Sequence, residues 1–162
     1  MKRLTTLAAL SLISLLAACS NAPSVEKPAV ISFDASRAQM VTALDGLCTS
    51  IDEREFNPPE IPGAETHSQI DCQGFDYFGA PRLAEFVFQD DALVVVWILV
   101  EESELDGLEE AFIAEFGEPT SKSETITAFT RVRAAVRKDT PEALYYAESV
   151  APLVEGMFAA AP

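Results

Sequence analysis

Leu93 to Val100, LVVVWILV, is apolar at all eight positions. A strand with one solvated face alternates apolar and polar residues, so this run predicts a strand covered on both sides or awaiting a partner on one. Leu83 to Phe88 precedes it, and QDDA, residues 89–92, joins the two. Aspartate tolerates unusual backbone angles and bonds to nearby amides, so the pair predicts a β-hairpin. Gln69 to Cys72 reads as a shorter strand, and FDYFGAPR, residues 75–82, as a strand ending in a turn at Gly79 and Pro81.

Helical spacing appears on either side of this block. FDASRAQMVTALDGLC, residues 33–48, offers Asp34 or Ser36 as a cap and Phe33 as a staple, with Val41, Leu44, Leu47 and Cys48 on one face. SELDGLEEAFIAEFGEPT, residues 103–120, starts at Ser103 and carries a stripe of Leu105, Leu108, Phe112 and Phe116. Gly117 and Pro119 stop it. Its acids Glu109, Glu110 and Glu115 read as a solvated face. Residues 127–139 and 141–150 admit two readings, a second hairpin around KDTP or helices; threonine-rich alternation and the Tyr145-Tyr146 pair favour strands. On a strand, Arg131, Arg133 and Arg137 would share one face. Residues 152–160 read as a short closing helix. This order predicts an α+β fold, an antiparallel sheet with helices packed on one face as a two-layer sandwich.

Met1-Lys2-Arg3 followed by the apolar run Leu4–Leu16 has the charged and apolar regions of a secretory signal and is too short to span a bilayer. Leu16-Ala17-Ala18-Cys19 then resembles the lipobox of bacterial lipoproteins. The resemblance implies cleavage before Cys19, a diacylglycerol thioether on its sulfur and acylation of the new amino group. Several acyl chains on one residue give stable anchoring where one chain gives only marginal binding. Ser20, where enterobacterial lipoproteins retained in the inner membrane carry aspartate, implies the outer membrane. The expected organisation is a signal peptide over 1–18, a flexible tether over 19–31 that includes the proline-containing NAPSVEKPAVI, and a single globular domain over 32–162. The expected location is the cell envelope, facing the periplasm.

Export changes the reading of the remaining cysteines. In an oxidising compartment Cys48 and Cys72 are expected to form a disulfide, closing a loop that holds the proline-rich NPPEIPGAE, residues 57–65. A pair of buried free thiols or a reactive thiol would be the alternatives. His67 is the sole histidine and no Cys-x-x-Cys is present.

The charge narrows the partners. Loss of residues 1–18 removes Lys2 and Arg3 and no acid, moving the formal charge from −15 to −17. Nucleic acid is not an expected partner, because binding it depends on neutralising phosphates with Lys and Arg. The expected partners are the membrane, through lipid on Cys19, and another envelope protein.

No nucleophile elbow, zincin motif or phosphate loop occurs. No catalytic residue, cofactor or metal site is therefore expected, and Asp90-Asp91 is read as a turn rather than a metal ligand. The element order is broadly similar to that of small two-layer domains in envelope lipoproteins, including assembly factors of the β-barrel machinery, with no functional residue carried over. A non-catalytic protein-interaction domain is the expected role. The alternative is a module for a small apolar or lipidic ligand, with Phe75, Phe78, Phe86, Phe88 and Trp97 as candidate lining.

Overall fold

In the computed structural model, which describes residues 23–160, an open antiparallel sheet organises the chain. Its strands are β1 (Ser50–Glu55), β2 (His67–Tyr77), β3 (Ala80–Gln89), β4 (Ala92–Leu99), β5 (Ser121–Lys122), β6 (Ile126–Phe129), β7 (Ala134–Arg137) and β8 (Glu142–Tyr146). They lie in the order β1-β2-β3-β4-β8-β7-β6-β5. Helices α1 (Arg37–Ala43), α2 (Leu105–Phe116) and α3 (Ala151–Ala160) complete the α+β architecture.

The doubly apolar β4 sits centrally, between β3 and β8. Leu93, Val96 and Ile98 join one apolar cluster, which holds Met40 of α1 and Leu108 and Phe112 of α2. Val94 and Val95 join a second cluster, which holds Val154 and Phe158 of α3. The helices therefore do not share a face as expected. α1 and α2 cover the first face, α3 the second, because a central strand apolar at every position needs cover on both sides. Irregular pairing at Val87/Phe88 admits Val94 as an extra residue and preserves this division.

The β3–β4 hairpin forms as read, turning through Asp90 and Asp91 at φ 51° and 65°. The second hairpin also forms, with Arg137 opposite Glu142 and Ala134 opposite Tyr145. α1 is shorter than its pattern implied. Ser36 caps it and forms a reciprocal capping box with Gln39, but it ends at Ala43, burying Met40 and Leu44 and leaving Leu47 exposed. α2 ends at Gly117, as expected, with a capping box between Glu101 and Glu104 in the 3-10 turn before it.

β1 had no apolar alternation to announce it. SIDERE is an edge strand exposed at every position, and its charges guard that edge against further pairing. β2 is longer than its apolar core of residues 69–72. A bulge at Gly74 carries it on to Tyr77; this glycine has φ 77°, and a Cβ there would stand 2.7 Å from Thr49 Cγ2. The hairpin tip beyond the bulge curls over the first face, where Tyr77 Oη and Tyr145 Oη lie 2.8 Å apart.

The stretch expected to be a flexible tether is partly built into the domain. Val25 and Ile31 are buried in the first-face core. The ordered domain therefore begins several residues before 32.

Candidate binding groove

Cys48 and Cys72 are bridged, with Cα atoms 5.3 Å apart. The bond fastens the chain entering β1 to the middle of β2, and Ile51 pairs with Cys72 in the ladder. Cys19 lies outside the described residues. Among the described residues, no helix is long and apolar enough to cross a membrane.

His67 opens β2 and is buried, stacked on Phe56 at 4.2 Å between ring centroids. Its Nδ1 accepts the Glu60 backbone N–H at 3.3 Å, and burial lowers its pKa. The aspartates of the β3–β4 turn serve structure. Asp90 accepts the backbone N–H groups of Glu65 and Thr66 at 2.7 and 2.9 Å, and Asp91 that of Arg37 at 3.1 Å. The three arginines do not share a strand face: Arg131 belongs to a 3-10 turn, Arg133 has left-handed backbone at φ 51°, and only Arg137 is on a strand.

The five aromatic residues considered as a ligand lining are also separated. Phe75, Phe86 and Phe88 are core residues of the first face, and Phe78 packs against the same core. Trp97 points to the second face, half-buried beside α3. It is here that the domain is incompletely filled. α3 seats Val154 and Phe158 on the sheet and leaves Leu153 and Met157 39 % and 49 % exposed. Beside it runs a groove of about 680 Å³, walled by Ile61 and Pro62 from the proline-rich loop and by Leu153 and Met157 from α3. Val87, Val95 and Trp97 contribute its apolar floor. The disulfide-closed excursion thus supplies one wall.

A polar row crosses the second face around this floor. Arg54 holds Asp71 at 2.7 Å and approaches Glu85 at 3.7 Å, while Gln69 donates to Asp71 at 2.7 Å. Glu85 is directly opposite Trp97 in the β3–β4 register. On the other side of the indole, the Arg137 guanidinium lies 5.7 Å from the ring centroid and reaches Glu142 at 3.0 Å and Asp139 at 2.8 Å. Burial pushes the Glu142 carboxyl up to about 7 against the pull of Arg137. Burial also raises Glu85, with the Asp71 charge adding to it. Asp139, hydrogen-bonded by Arg137, is held low, and Arg137 itself is raised.

An apolar trough with fixed charges of both signs in its floor can hold an apolar side chain and hydrogen-bond polar groups beside it. Nothing in the arrangement places a nucleophile next to a base. Sequence reasoning passed over Glu85 and Glu142. The available signal was a lone acid in each of two otherwise apolar or aromatic runs, LAEFVF and EALYY. No family model matches the chain, and neither a curated protein nor a solved structure does.

Proposed function

We propose that this chain is a lipid-anchored protein of the cell envelope whose domain is a non-catalytic binding module, and that the groove beside α3 receives an apolar stretch of a partner protein. The observation that carries this reading is the incomplete cover of the second face, where Leu153, Met157 and Trp97 stay accessible around a trough with a charged floor. Lipid on Cys19, the outer membrane and the periplasmic side follow from the lipobox and Ser20.

The floor also favours a polypeptide over a lipidic ligand. A hydrocarbon chain laid across Arg54 and Glu85 would remove the water that completes their hydrogen bonding beside the Arg54–Asp71 pair and return no hydrogen bond. Peptide N–H and C=O groups, or a lysine beside an apolar side chain, would pair with them. The body's negative charge favours a basic partner sequence and weakens its capture as salt rises.

Trp97 is the single tryptophan, so intrinsic emission reports on the groove directly. Titration of the protein with short peptides pairing apolar and basic residues is expected to shift Trp97 emission and to saturate. Leu153→Asp and Met157→Asp should abolish the shift. Saturable binding of fatty acids or phospholipids instead, seen in native mass spectra, would replace this reading with the small-ligand one.

A further inference from the structure

The fixed position of Val25 sets how far the domain can stand from its anchor. Val25 is 2 % exposed, and its carbonyl accepts the Tyr145 hydroxyl at 2.6 Å. Tyr145 is in turn 2.8 Å from Tyr77 Oη, at the end of β2 next to the hairpin tip. Pro23 lies at the same tip, its Cγ 3.6 Å from where a Gly79 Cβ would be. From there the chain is pinned onward: Asp34 N–H donates to Leu93 C=O at 3.1 Å, Leu93 N–H donates to Ala35 C=O at 2.9 Å, and Ser36 bridges to Ala92. It forms a strap from the tip of the β2–β3 hairpin to the start of β4.

Only the residues before Val25 are then left as tether. Cys19 to Val25 is six peptide steps, and a fully extended chain covers at most about 20 Å in six steps. We infer that the lipid on Cys19 holds the β2–β3 hairpin tip against the bilayer surface, with the opposite end of the sheet, at the Asp90–Asp91 turn, directed away from it. The inference rests on the lipidation of Cys19 proposed above.

Two forces set the orientation. The short leash pulls the tip inward, while the net negative charge of the body is repelled by an anionic lipid surface and lifts the remainder. β3 has ten residues, so the two ends of the hairpin are separated by about 30 Å of strand. The α3 groove, on the face opposite the strap and walled partly by Ile61 near the far end, is then open to proteins of the periplasm. A partner reaching it need not touch the bilayer.

The test uses the full, lipidated protein in phosphatidylglycerol-containing vesicles that carry a nitroxide on the lipid headgroup. A fluorescent amino acid replaces exposed Asp76, beside the tip, or exposed Glu65, at the far end. Quenching several-fold stronger at 76 than at 65 is expected. Insertion of about 30 Gly/Ser residues after Ser20, a spacer with an r.m.s. span of about 30 Å, should remove the difference while the protein still floats with the vesicles. Equal quenching at both positions of a floating protein, or stronger quenching at 65, overturns the orientation and leaves the lipid anchor standing. A protein that takes up no labelled palmitate and does not float overturns both.

Discussion

Glu142 shows how a single side chain can make the second face sensitive to pH. Its carboxyl is 4 % exposed, and its only side-chain partner among the described residues is Arg137, which Asp139 shares. Burial raises its pKa to about 7 from an ordinary value of 4.5. The folded chain thus keeps a proton that the unfolded chain has released once the pH passes 4.5. This contribution to stability is complete below 4.5 and is lost as the pH climbs through 7. Glu85, also raised by burial, acts in the same direction. Glu104, lowered by Arg82, acts below this window. So does Glu109, where Lys122 and Lys138 outweigh burial. His67, whose pKa burial lowers, works the other way in part of this window. The net expectation in chemical denaturation is stability falling between about pH 5 and 8, with on the order of 2 kcal/mol of the fall attributable to Glu142. Glu142→Gln should flatten that slope. An unchanged slope in the variant would remove Glu142 as its source.

At the scale of elements, α3 does two jobs with neighbouring residues. Val154 and Phe158 face inward, Phe158 making an edge contact with Tyr146 at 6.0 Å, while Leu153 and Met157 form the rim of the groove. Phe158→Ala is expected to cost about 3 kcal/mol of stability, because it empties a packed site. Leu153→Asp, at the solvent boundary, should change stability by less than about 1 kcal/mol. Matched urea melts of the two variants check this: similar losses would mean that the rim is part of the core. The element was readable from residues 152–160, but its face was not. Apolar periodicity marks which side of a helix is buried and carries no information on which side of a sheet receives it. The same limit explains the expected two-layer packing. LVVVWILV announced a strand needing two covers, and the closing helix is the second of them. β1 was illegible for a different reason. An edge strand exposed on both faces needs no alternation, and its ladder to β2 is decided by backbone hydrogen bonds and by the Cys48–Cys72 bridge. The groove's charged floor likewise arises from register, which sets Glu85 opposite Trp97, and no local pattern encodes that pairing.

The whole molecule combines a signal-like leader sequence, a strap fixed through Tyr145 and a sheet covered by α1 and α2 on one face and partially by α3 on the other. With the lipid proposed on Cys19, the leash and strap would bring one end to the membrane, and the partial cover leaves a trough on the face turned from the strap. On the same proposal, the net negative charge would keep the rest clear of anionic lipid and favour basic or neutral partners. The most direct measurement is site-specific photo-cross-linking in intact cells, with a photoreactive amino acid at Met157 and, as a control, at Val132, which is 45 % exposed but does not line the groove. A discrete adduct of one partner protein from position 157, lost when Leu153→Asp is added and absent from position 132, is the predicted result. No adduct from 157, or the same adducts from both positions, would contradict a binding site beside α3.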